Sequence, residues 1–324
     1  MRKYIILTGV LTLFIIFLGH SWGFFAHKRV NRLAVFTLPK EMIGFYKSNI
    51  NYLTEQAVAP DKRRYSDKTE APKHYLDADF YGSNPFDSIP MRWEDAVKKY
   101  TADTLNAYGT VPWRIQERFY QLVNAFKERD SAKILFYSAD LGHYVADACV
   151  PLHSTLNYDG QLTQQKGIHS FWESRLPELF ADQYNYWVGK AEYIDDPLAY
   201  SFELLKGSFV AKDSVLDFEK KLNASFDADK KYSFEQRGSK NVQVYSEGYS
   251  KAYHDALDGM VERRMRVSIK AVGSYWYTAW VMAGQPNMKK LINKNQSSEE
   301  KLKIQKEIDA YKNGKVLGRE IDID

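Results

Sequence analysis

The stretch Gly142-His143-Tyr144-Val145-Ala146-Asp147-Ala148-Cys149-Val150-Pro151-Leu152-His153 decides how this chain is read. It closes a run, Ala132–Ala148, in which apolar residues recur at helical spacing. His143 and Asp147 are four residues apart, so both point from one helix face and can share one metal ion. Pro151 has no amide hydrogen and is expected to end or kink that helix near Val150. His153 then leaves in another direction, which suits a second ion nearby. Outward from there, His169-Ser170-Phe171-Trp172-Glu173 repeats the four-residue spacing. Each pair alone reads rather as a histidine–carboxylate pair on a solvated helix face. Two such pairs with His153 between them tip the reading toward metal.

Two further segments carry ligand-competent residues. One is Pro60-Asp61-Lys62-Arg63-Arg64, followed by His74-Tyr75-Leu76-Asp77-Ala78-Asp79; alone, Asp after Pro is ordinary turn chemistry. The other is Trp22-Gly23-Phe24-Phe25-Ala26-His27. A free α-amine has a pKa of ~7.7–8 and can be neutral enough to bind a metal. Only proteolytic processing before Trp22 would create it. Cys149 is the single cysteine, which excludes an intramolecular disulfide and a cysteine-based zinc ribbon. Any metal is therefore held by nitrogen and oxygen.

Processing is expected. Arg2 and Lys3 precede an almost wholly apolar run, Tyr4–Leu18, and Gly19-His20-Ser21 offers small residues for cleavage between Ser21 and Trp22. The rival is a membrane anchor, for which a run of ~15 residues is short against the ~20 a span needs. The mature protein is then secreted or periplasmic. With 44% apolar and 15% aromatic residues among 324, the chain can build a large core. A net charge of +4 is too mild to demand a nucleic-acid or anionic-membrane partner. Helical spacing recurs at Val30–Leu38, Trp113–Phe126, Phe202–Val210 and Tyr249–Val267, and strand alternation is scarce. We expect a single all-α domain over residues 22–286. Tyr81–Pro90 and Asn157–Gly167 read as loops. Residues 287–324 read as a polar extension with an isolated helix at Ser298–Tyr311. His254 reads as structural, Cys149 as a small buried residue, and Trp276, Tyr277 and Trp280 as core.

The motif set resembles the superfamily of bacterial zinc-dependent phospholipases C and single-strand-specific zinc nucleases. It is carried by His-x3-Asp-x5-His, a later His-x3-Glu and an amino-terminal Trp, over nearly the whole mature chain. The resemblance implies a mostly helical fold, three zinc ions and hydrolysis of a phosphodiester. It implies that Asp61, His74, His143 and Asp147 hold a first zinc. His153, His169 and Glu173 would hold a second. Trp22, through its amine and carbonyl, and His27 would hold a third, with Asp147 bridging the first and third.

Paired metal ions lower the pKa of a shared water enough to make hydroxide available near neutral pH. A further ion with an open position takes up charge developing on a phosphate. Asp61 would also orient the attacking water. Arg64 stands where the nucleases carry a phosphate-contacting arginine, and equally fits a solvated Lys-Arg-Arg run. Tyr75 matches an aromatic that stacks a base, worth ~1–3 kcal/mol, and Asp77 an acid that pairs with its edge; both types also occur in the phospholipases. Glu173 and the segment His153–Ser170 follow the phospholipase pattern. The residues of the choline pocket do not, since Phe25, Lys62 and Ala71 occupy its places. The substrate is thus a single-stranded nucleic acid or a phospholipid. A nucleotide phosphomonoesterase and a non-catalytic zinc-binding envelope protein are the alternatives. No stable protein partner is expected, and the chain is expected to be a monomer.

Overall fold

The computed structural model describes residues 23–237 and 240–291, together with 302, 305, 306 and 309. The expected signal segment, Trp22 and, apart from those four positions, the helix expected at Ser298–Tyr311 lie outside the described residues.

The helices are α1 (Phe24–Ala34), α2 (Lys40–Ser48), α3 (Ile50–Gln56), α4 (Ala59–Arg63), α5 (Pro85–Ser88), α6 (Trp93–Tyr100), α7 (Ala102–Tyr108), α8 (Val111–Glu128) and α9 (Ser131–Asp147). Then come α10 (Ile168–Ser170), a π turn at Phe171–Arg175, α11 (Leu176–Phe180), α12 (Pro197–Ser225), α13 (Glu247–Ala256) and α14 (Met260–Met282). The all-α expectation holds, with one addition between α12 and α13. There, β1 (Tyr232–Arg237) and β2 (Lys240–Tyr245) pair antiparallel, Tyr232 opposite Tyr245 and Arg237 opposite Lys240. Two other departures are local. The stretch expected as a loop at Tyr81–Pro90 contains α5. The run Tyr249–Val267 breaks at Asp258 and Gly259, both at positive φ, which separates α13 from α14.

Helix α9 is the centre of the bundle. Asp130 caps its start, accepting hydrogen bonds from the amides of Ala132 and Lys133. Every residue from Ser138 to Val150 is buried, so the helix runs through the core rather than along its surface. Helices α1, α3, α8 and α14 pack around it, and α12 packs on α8 and on the 3-10 turn Pro151–Ser154. In α8 the buried positions Ile115, Phe119, Leu122 and Phe126 form one stripe at helical spacing.

Close packing at one point depends on glycine. A Cβ on Gly142 would lie 2.1 Å from the Oδ1 of Asn31 on α1. Asn31 Nδ2 in turn donates to the carbonyl of Ala139 at 3.1 Å. Thus α1 and α9 meet one residue before His143. Trp276 is buried in α14 with its indole N–H on Ser138 O at 3.0 Å, and Trp280 bonds Pro286 O at 2.9 Å. Met288 is also buried, in a turn that packs against α2. Among the described residues no helix is long and apolar enough to cross a membrane.

Candidate metal centre

Six segments deliver ligand-competent side chains to one end of α9. His143 and Asp147 come from α9 itself, His27 from α1 and Asp61 from α4, where Pro60 occupies the first turn. His74 and His153 end or occupy the 3-10 turns Ala71–His74 and Pro151–Ser154. His169 lies in α10 and Glu173 in the π turn after it. All eight are buried. Of the nine residues expected as ligands, only Trp22 is not described. Gly23 packs against Ser174, the neighbour of Glu173, so the described chain begins beside the cluster.

The atoms fall into two groups. In the first, Asp147 Oδ2 is 2.9 Å from His74 Nδ1 and 3.1 Å from His143 Nε2. Those two nitrogens are 3.0 Å apart. Asp61 Oδ1 lies 3.8 Å from the former and 3.7 Å from the latter. In the second, Glu173 Oε2 is 3.1 Å from His169 Nε2 and 3.6 Å from His153 Nε2, with the nitrogens 3.2 Å apart. The other oxygen of Asp147, Oδ1, faces His27 Nε2 at 3.3 Å. The His27 ring stacks on His143 with centroids 4.0 Å apart. Asp147 therefore turns one oxygen to each side, the arrangement a bridging carboxylate needs.

The back of each ring fixes which nitrogen faces inward. Nδ1 of His143 donates to Ala57 O at 2.8 Å, that of His153 to His74 O at 2.8 Å, and that of His169 to Tyr158 O at 2.9 Å. With Nδ1 protonated, Nε2 carries a lone pair. In the neutral ring the 3.1 Å approaches of Nε2 to Asp147 and Glu173 set lone pair against lone pair, a contact relieved by a proton on Nε2 or by a metal ion between the two. Four donors at ~2.1 Å from a tetrahedral zinc lie ~3.4 Å apart, the middle of the distances found. An all-nitrogen-and-oxygen set suits zinc. The residues present fit the metal.

Charge in the cluster is set by the same contacts. Burial lowers the pKa of His143, but Asp147 and Asp61 outweigh it and hold the imidazole at about 9. Burial raises that of Glu173, but His169 and His153 outweigh it and hold the carboxyl down at about 2. Burial and the neighbouring His143 keep the pKa of His27 below its ordinary value. Burial works to raise that of Asp147, yet His143 and His153 hold it well below the carboxylate range. Without metal these groups share protons; with metal the histidines are held neutral.

Beside the cluster runs a groove of about 610 Å³ lined by Tyr75, Asp77, Tyr108, Tyr158, Lys68 and Leu162, among others. Both residues expected to meet substrate, Tyr75 and Asp77, line it. Tyr108 and Tyr158 do so too, and no spacing in the sequence joins them to the others. Leu162 is 71% exposed at the groove, and Phe80, 40% exposed, stacks on Tyr108. Arg63 and Arg64 are both buried, so the solvated-run reading of Lys62-Arg63-Arg64 fails for these two. Arg63 grips Asp140 with two hydrogen bonds, at 3.1 and 2.6 Å. Asp79 is structural, accepting from Thr155 Oγ1 and the amide of Leu156. His254 bonds Tyr184 at 2.7 Å, and Cys149 is buried.

No curated protein matches this chain. The family model described as zinc dependent phospholipase C matches residues 26–236, a span that begins within α1, ends within β1 and contains every described residue of the cluster. The chain belongs to the zinc-dependent phospholipase C family, and at the level of that family it is a zinc-dependent hydrolase of phosphodiesters.

Proposed function

We propose that the mature chain begins at Trp22 after export, binds three zinc ions and hydrolyses phospholipids to diacylglycerol and a phosphorylated head group. The observation that carries the lipid reading is the groove beside the cluster, with Leu162 and Phe80 exposed at its edge. An apolar lip favours a substrate whose scissile phosphate sits next to glycerol and acyl chains.

Asp61, His74, His143 and Asp147 would hold the first ion, His153, His169 and Glu173 the second, and His27 with the Trp22 amine and carbonyl the third. Gly23 beside Ser174 supports the last assignment. Bound there, zinc would supply Lewis acidity toward phosphate oxygens and make water acidic enough to lose a proton near neutral pH. Asp61 would orient that water, taking its proton on the carboxylate. Arg64, buried at the end of α4, would balance phosphate charge. Tyr75, Tyr108 and Tyr158 would flank the head group, and Asp77 would pair with a cationic one.

Tyr75 and Asp77 in one groove also favour a second reading, in which they stack and pair a base of single-stranded nucleic acid. Zinc-loaded protein starting at Trp22 should be assayed on mixed phospholipid vesicles, single-stranded DNA and RNA side by side. Diacylglycerol release is the expected result. Release of 5′-phosphorylated nucleotides would replace it with the second reading. Silence on all three, with zinc confirmed, would leave a nucleotide phosphomonoesterase or a non-catalytic zinc protein.

A further inference from the structure

His74 differs from the other cluster histidines in which nitrogen it presents. His143, His153 and His169 each give Nδ1–H to a main-chain carbonyl and turn Nε2 inward. His74 turns Nδ1 inward, 2.9 Å from Asp147, and its Nε2 points away from the cluster. What stands behind it is a side chain: Glu70 Oε1, one helical turn earlier in sequence, 3.7 Å from Nε2. Glu70 is 1% exposed. It is held from every side. Lys73 Nζ donates to Oε2 at 2.9 Å, and the Tyr144 hydroxyl donates to Oε1. Arg63 Nε lies 3.6 Å from Oε1, while its guanidinium is fixed by Asp140. Tyr144 receives hydrogen bonds from Arg63 and Arg114 at 3.2 and 3.3 Å.

A carboxylate held ionised behind one nitrogen of an imidazole favours the tautomer with the proton on that nitrogen. It also makes the opposite nitrogen a stronger donor to a metal. We infer that Glu70 is a positioning residue for the first metal centre: its fixed, buried carboxylate keeps the His74 proton on Nε2 and so leaves the Nδ1 lone pair facing Asp147 and His143. The inference rests on the metal-centre reading above. It assigns a purpose to this buried charge network.

The test is zinc release to a chromogenic chelator, after zinc content has been measured on the full mature chain. Glu70→Gln keeps the shape and removes the charge. One release phase should then quicken by about 10- to 100-fold, with the others unchanged. Asp140→Asn serves as the comparison, since it disturbs the same network behind Arg63 without facing His74. It should lower the melting temperature and quicken that release phase less than Glu70→Gln does, because Lys73 and Tyr144 still hold the Glu70 carboxylate. If Glu70→Gln does not accumulate as folded protein, Glu70→Asp keeps the charge and withdraws it by one methylene, with the same expectation. Wild-type release in the Glu70 variant, or acceleration of all phases in both variants alike, overturns the inference while the metal centre stands. Absence of zinc from wild type removes the centre itself, and the inference with it.

Discussion

Gly142→Ala should damage the protein through geometry alone. The added Cβ would lie 2.1 Å from Asn31 Oδ1, 2.9 Å from its Cγ and 3.1 Å from its Nδ2. Either α1 moves away from α9 by about 1 Å, or the Asn31 side chain swings out and gives up its bond to Ala139 O. Overpacking of this kind costs about 1–3 kcal/mol, and a lost buried hydrogen bond about 1 kcal/mol. Alanine in place of glycine inside a helix returns about 1 kcal/mol. The net loss is about 1–3 kcal/mol, or roughly 2–5 °C in melting temperature for a chain of this size. Asn31 and His27 are four residues apart on α1, so the same displacement opens the 3.3 Å contact between His27 and Asp147. Thermal unfolding with zinc analysis should therefore show a lower melting temperature together with loss of zinc from the His27 side. The double mutant with Asn31→Ala removes the obstacle and should recover stability relative to Gly142→Ala, a favourable coupling of more than about 1 kcal/mol. A melting temperature at or above wild type, or strict additivity in the double mutant, would refute the packing argument.

Asp147→Asn should lose more activity and more zinc than Glu173→Asp, because Asp147 faces four histidines with two oxygens; zinc counts and turnover measured together decide the order. A tag or retained Ser21 before Trp22 should lower zinc content by about one ion and depress activity, read by metal analysis of both forms. Chelator-treated protein should show an inverted pH response. His143, raised to about 9, contributes stability that is complete below its ordinary 6.5 and fades as pH rises through 9. Glu173, lowered to about 2, contributes stability that is complete above its ordinary 4.5 and fades only as pH falls through 2. Metal-free protein should thus melt lower at pH 9 than at pH 6, whereas zinc-loaded protein should not, since metal favours the deprotonated histidines. Tyr108→Ala should raise KM with little change in kcat, as expected for a group that flanks substrate away from the reacting atoms.

How far the sequence reaches depends on whether the relevant spacing is local. His143 and Asp147 meet because four residues make one helical turn, and the same arithmetic places Glu173 at 3.1 Å from His169, although that segment relaxes into a π turn. Glu70 and His74 have this spacing too, yet a lone pair at that interval says nothing until the ring orientation is known. The hairpin had a local signal as well: Gly238-Ser239 sits between Phe234 and the alternating Val242 and Val244. What no spacing carries is convergence. Tyr75, Tyr108 and Tyr158 come from three segments tied by main-chain bonds, as Leu76 bonds His153 O, Asp77 bonds Tyr108 O and Val111 bonds Tyr75 O. Those same main-chain bonds bring the groove up against the histidines. The backbone that positions the ligands therefore also shapes the groove, and variation among groove side chains can alter the substrate without disturbing the cluster.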